Sequence, residues 1–154
     1  MCEIVKVKSD AIFEMVKDML EMDKSAKITV VGDSMFPFLR NGIDSVELSQ
    51  SNFVDIGRGD IVMIKRTTGQ YVMHRVIKKE LDCFFMVGDA QQWIEGPLLP
   101  EQLVAVVKTV WRRDKRIECA ELKWGLPAMV WLKALRVRGV LLRVIRKLSA
   151  FRKR

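Results

Sequence analysis

Ile28-Thr29-Val30-Val31-Gly32-Asp33-Ser34-Met35-Phe36-Pro37 is the stretch on which the reading of the fold turns. Its four leading residues are all β-branched, and side chains branched at Cβ are stiff and suit a pleated strand. Gly32 ends the run, and Asp33, Ser34 and Pro37 are turn formers. The stretch predicts a short strand running into a turn that carries a serine. The same pattern recurs further along the chain. Ser45–Leu48 follows the turn at Asn41-Gly42, and Asp60–Lys65 and Gln70–Lys78 flank Thr67-Thr68-Gly69, a hairpin signal. Cys83–Val87 and Leu103–Trp111 are apolar and strand-like, and Arg116–Cys119 follows the polar turn Arg113-Asp114-Lys115. Many short strands joined by glycine-containing turns predict a mainly β body over residues 27–120, a small barrel or a folded sheet.

The segments on either side read as helical. Ser9 is placed to cap a helix running to about Met22, with Asp10 in its first turn. Ile12, Phe13, Val16, Met19 and Leu20 recur at helical spacing. Residues 1–26 are therefore expected to be an amphipathic helix packed on the body, which is too little for a helix-turn-helix DNA reader. In residues 121–154, Val137, Val140, Leu141, Val144, Ile145, Leu148 and Phe151 form one stripe, with Arg138, Arg143, Arg146 and Lys147 off it. Gly139 is expected to split this segment into two helices. An apolar stripe bordered by arginine is the composition of a helix lying in a membrane interface. It equally describes a helix packed on the body or in an oligomer with its basic face in water.

Composition limits the function. The chain has 154 residues, 49% hydrophobic and 30% charged, which excludes wholesale disorder. Cys2, Cys83 and Cys119 are odd in number and far apart, and His74 is the only histidine. A disulfide framework or a Cys/His zinc site is not expected, and no metal or organic cofactor is implied. No apolar run approaches the roughly 18–20 residues that cross a bilayer. The first eight residues carry charges and lack the apolar stretch of a secretory signal. A cytoplasmic protein is expected, with peripheral attachment to the inner face of the membrane as an option. The formal net charge is +8. Residues 121–154 hold ten Lys and Arg against Glu121 alone, so the other 120 residues sum to −1. A nucleic-acid-binding β domain would spread basic residues over the body, so no specific DNA binding is expected. The basic tail suits an acidic partner, RNA or an anionic membrane.

Three residues can carry chemistry. Ser34 sits after Gly-Asp at a strand end, where a hydroxyl is exposed and neighbouring N–H groups can meet an oxyanion. By composition alone, Gly-Asp-Ser is more often just a turn. His74 lies in Val72-Met73-His74-Arg75-Val76, on the face of Val72 and Val76. A lone histidine on an apolar face is usually a core residue, but beside a serine it would be a general base. Asp89 follows Gly88 at the end of another strand and could orient the imidazole, or simply hold a turn. Trp93 and Ile94 come next and read as packing residues or a wall of a substrate groove.

The order Gly32-Asp33-Ser34-Met35-Phe36-Pro37, Gly59-Asp60-Ile61-Val62, His74-Arg75-Val76, Gly88-Asp89 resembles the serine peptidase superfamily that joins signal peptidase I and LexA (the S24/S26 kind). The resemblance spans roughly Ile28 to Val110. It implies a LexA/signal peptidase-like coiled antiparallel β-sheet core, here with an N-terminal helix and basic C-terminal helices. It implies a serine endopeptidase that cleaves a leader or signal-like segment of a peptide or protein substrate. Ser34 matches the nucleophile. His74 stands where bacterial signal peptidases and LexA have lysine, which resembles the endoplasmic-reticulum, archaeal and sporulation-type branch. Asp89 matches the aspartate that supports the base in that branch. The Ser34 N–H would be one oxyanion donor, and Gly32 replaces the residue that supplies a second in lysine-type enzymes. Signal peptidases also carry a transmembrane anchor and LexA a DNA-binding domain. Neither is expected here, and the basic tail would stand in for the anchor. A regulatory, self-processing or binding protein on the same fold is the alternative.

Overall fold

Ile61-Val62-Met63-Ile64 is apolar at every position because it is covered on both sides. The computed structural model, which describes residues 9–151 and the side chains from Ala11 onward, buries all four. Ile61 and Met63 join one apolar cluster, while Val62 and Ile64 join a second on the opposite face. This strand lies near the middle of a mainly antiparallel sheet. The strands are β1 (Ala26–Thr29), β2 (Asp44–Ser49), β3 (Ile61–Lys65), β4 (Tyr71–Lys79), β5 (Phe84–Val87), β6 (Glu95–Leu98), β7 (Leu103–Arg112) and β8 (Lys115–Glu118). Their order is β1-β2-β7-β3-β4-β5-β6, with β8 paired to β7. Three helices complete the chain: α1 (Ser9–Glu21), α2 (Leu122–Lys133) and α3 (Arg138–Phe151). Cys2, the side chain of Ser9 that was expected to cap α1, Asp10 and the basic residues 152–154 lie outside the described side chains.

The β3–β4 hairpin forms where Thr67-Thr68-Gly69 predicted it. Gly69 takes φ +88°, a left-handed conformation that favours glycine, and Arg66 N–H donates to Gln70 O at 2.8 Å. Helix α1 buries Val16 and Leu20 in the first cluster beside Met35, Leu39 and Trp124. The segment between β1 and β2 carries Ser34, and it is fixed at both ends. Met35 and Leu39 are its buried anchors. The buried Asp44 carboxylate accepts from the Arg40 backbone N–H at 3.0 Å and from Arg112 Nη2 at 3.1 Å.

Two details differ from the sequence reading. Strand β6 was not expected, because Gly96 and Pro97 at its centre are strand-breaking types. It is an edge strand, where a missing N–H is tolerated. The C-terminal helices separate at residues 134–137, and Gly139 lies inside α3. Helix α2 buries Trp124, Ala128, Trp131 and Leu132, so the change in composition at residue 121 is not a break in packing.

Candidate active site

The β-branched run that begins in β1 continues past the strand's end at Thr29 to Val31, and Gly32, with φ of +90°, then turns the chain. Met35, buried immediately afterwards, fixes the half-buried Ser34 above the core. His74 is delivered by β4, opposite Val62 of β3. Ser34 and His74 line one cavity of about 350 Å³, together with Gly32, Met35, Tyr71 and Gln91. The structure thus brings two of the three expected residues to a common space, although they are 40 positions apart in the chain.

The imidazole is 4% exposed, and its Nδ1 is buried with no hydrogen-bond partner. Burial pushes its pKa down to about 4. The nearby Glu95 carboxylate opposes this shift and the Arg66 guanidinium adds to it. Glu95 Oε2 lies 3.9 Å from Nδ1, too far for a hydrogen bond but close enough for electrostatic attraction. Arg66 grips Glu95 with two hydrogen bonds, Nε to Oε1 at 2.6 Å and Nη2 to Oε2 at 2.7 Å. Those bonds hold the Glu95 carboxyl below the usual carboxylate range. At neutral pH His74 is therefore uncharged, and burial makes it a weaker base than a free imidazole.

This environment gives stability a defined pH dependence. The unfolded chain takes up a proton on His74 below about 6.5, and the folded chain only below about 4. Between those values the unfolded state binds more protons, so stability falls as pH falls. The loss from this group is at most about 3 kcal/mol. Urea titrations at pH 7 and pH 4.5 should show the decline, and His74→Phe should reduce it.

The role expected of Asp89 needs correction. Its carboxylate is fully buried and does not hydrogen-bond His74. Asp89 Oδ1 accepts from Arg75 Nε at 2.9 Å, and Oδ2 accepts from Arg75 Nη2 at 2.6 Å. Alternation along β4 explains this, because adjacent residues point to opposite faces of a strand. His74 pairs with Val62 and Arg75 with Ile61, residues that belong to the two different clusters. A carboxylate on the Arg75 face does not reach the imidazole. The carboxylate beside the histidine is Glu95, on the strand that the sequence did not reveal.

Asp89 instead belongs to a brace beneath the serine. Ala90 N–H donates to Ser34 O at 2.8 Å, joining the two Gly-Asp turns. A Cβ on Gly88 would lie 2.7 Å from Ser34 O and 2.5 Å from Gln91 Oε1. Gly88→Ala should therefore push the turns apart and cost about 1–3 kcal/mol, visible as a lower thermal midpoint. The C-terminal helices hold the same turn from outside. Trp131 Nε1 donates to Asp89 O at 2.8 Å. The buried Arg138 donates through Nη1 to Gly88 O and Gln91 O, at 3.0 and 2.9 Å, and through Nη2 to Trp131 O at 3.0 Å.

Gln91 was missed from sequence. Gln91 lines the cavity, and its side-chain Oε1 is buried with no hydrogen-bond partner. Its position two residues after Asp89 was the only available signal. Trp93 and Ile94 are exposed and do not line the cavity. Burial raises the thiol pKa of Cys83 and Cys119, the latter to about 11, which leaves both protonated and poorly nucleophilic. No group of side chains suited to a metal ion occurs among the described residues. No protein-family model matches the chain, and a search of curated proteins found no match.

Proposed function

We propose that the chain is a serine endopeptidase of signal-peptidase type, with the coiled sheet of that superfamily, acting through a Ser34–His74 pair. The observation that carries this reading is the shared cavity. A serine on a rigid turn and an uncharged, buried histidine line the same space, in a chain whose ordered boxes resemble those of that superfamily. Ser34 Oγ attacks the peptide carbonyl and His74 takes its proton, then returns it to the leaving amine. Water hydrolyses the acyl-serine by the reverse proton path. The imidazolium formed in each step faces the Glu95 carboxylate. Glu95 thereby takes the electrostatic role expected of Asp89, while Asp89 and Arg75 hold the serine turn in place. No metal or organic cofactor enters this chemistry.

The substrate fits as an extended chain. Strand β1 pairs only with β2 among the described residues, which leaves its other edge open. Ile28, Thr29 and Val30 line the cavity beside Ser34. A peptide added to that edge would run past the serine and present alternate side chains to the apolar wall formed by Phe13, Met63 and Met73. Incubation with a mixed peptide library, read by mass spectrometry, tests the proposal. Wild type should produce cleavages that Ser34→Ala lacks. Identical product sets from the two proteins would overturn the reading and leave a binding protein on this fold.

A further inference from the structure

Helix α3 is held to the body at one face and leaves its apolar stripe uncovered. Of its side chains, only Arg138 and Leu142 are buried. Val140, Leu141, Val144, Leu148 and Phe151 are exposed, as is Val137 just before the helix. They fall at helical spacing and form a stripe to one side of the buried face. Helix α2 adds exposed Leu122, Leu126 and Val130 at spacings of four. Around these lie six exposed cations, Lys123, Lys133, Arg136, Arg143, Arg146 and Lys147, and residues 122–151 contain no Asp or Glu.

We infer that this face docks on an anionic lipid bilayer, with α3 lying in the interface plane. Charge decides between occupants. A second copy would set the same unbroken array of cations against itself, with no acid on either side to pair them. Nucleic acid would meet the cations but leave the aliphatic stripe in water. An anionic leaflet satisfies both, because its acyl boundary takes the stripe and its headgroups take the cations. Each basic residue near such a surface contributes roughly fivefold to partitioning. No helix among the described residues is long and apolar enough to cross a membrane, so α3 lies on the bilayer and does not span it.

Docking is also positioned to matter for the cavity. Arg138 grips the Gly88–Gln91 turn at one end of α3, and Arg146 stacks over Phe36, 5.8 Å from its ring centre, in the turn that carries Ser34. A helix fixed on lipid would therefore hold the cavity beside the membrane surface. The lipid contact itself does not depend on the peptidase reading, because it uses different residues.

The test is co-sedimentation of the full chain with phosphatidylcholine vesicles, and with vesicles of phosphatidylcholine and phosphatidylserine at two to one. Wild type should bind only the second kind, and more weakly as salt rises from about 0.1 to about 0.5 M. Val144→Glu/Leu148→Glu and Arg143→Glu/Lys147→Glu should each weaken partitioning about twentyfold or more. Thermal midpoints should stay close to wild type, since all four side chains are exposed. Absence of binding to the anionic vesicles would overturn the inference, as would equal binding by the variants. So would a dimer that Val144→Glu/Leu148→Glu disrupts, or RNA binding that only the charge reversals abolish, if either occurred without vesicle binding.

Discussion

Replacing Ser34 or His74 by alanine should reduce peptide hydrolysis by about a thousandfold or more in kcat/KM, with the fold retained. The size follows from how a nucleophile and its base act as a unit, since losing either member leaves only the contribution of binding and oxyanion contacts. The two variants should differ in stability. Ser34 is half-buried, and its hydroxyl has no hydrogen-bond partner that the fold depends on, so Ser34→Ala should melt close to wild type. His74 fills buried space beside Val62, so His74→Ala leaves a small cavity and should cost about 1–2 kcal/mol. The double variant should be no slower than the slower single variant. Steady-state kinetics on one cleaved peptide would check this. A double variant slower than both by the product of the single effects would mean that the residues act independently.

The second large effect concerns stability. Arg75 and Asp89 form an ion pair whose side chains are 1% and 0% exposed. Arg75 also donates to Gly59 O at 2.9 Å and stacks over Phe38, 4.8 Å from its ring centre. Removing one partner strands a charge in the interior, which costs about 3–5 kcal/mol. Asp89→Ala and Arg75→Ala should each lose that much in urea titration. Replacing both together by apolar residues should lose less than the sum of the two, because no lone charge remains. Asp89→Ala should also lower hydrolysis, since the turn it anchors holds the Ser34 carbonyl. If Asp89 oriented the imidazole instead, its loss would change the pH dependence due to His74 while sparing stability.

The parts of this molecule that were legible in sequence are those set by local chemistry. Thr67-Thr68-Gly69 marked a hairpin because a glycine at φ +88° is needed there. The strand before Ser34 was visible in part from its β-branched residues, but β1 ends at Thr29, short of the Val30-Val31 pair that precedes Gly32. Helix α1 was visible because Val16 and Leu20 repeat at helical spacing and are buried. Strand β6 was not visible, since Gly96 and Pro97 carry the opposite local signal and only pairing with β5 makes it a strand. Glu95 was lost with it. The partner of Asp89 is a long-range fact of the same kind. Arg75 and His74 are adjacent in sequence, and only the register of β4 against β3 and β5 shows which of them the Gly88–Asp89 turn meets. Alternation alone separated the two side chains, but not which one lay toward Asp89. Helix α2 was read as part of a basic tail because its charges dominate the composition. Its tryptophans nevertheless pack inward, and Trp131 holds the backbone of Asp89.

In the proposed mechanism His74 activates Ser34. The most direct measurement is intact mass after exposure to a fluorophosphonate that labels activated serines, at pH 7.5, for wild type, Ser34→Ala and His74→Ala. One adduct on wild type, mapped to Ser34 and absent from both variants, is the predicted result. An unlabelled wild type, or a Ser34 adduct that persists in His74→Ala, would contradict it.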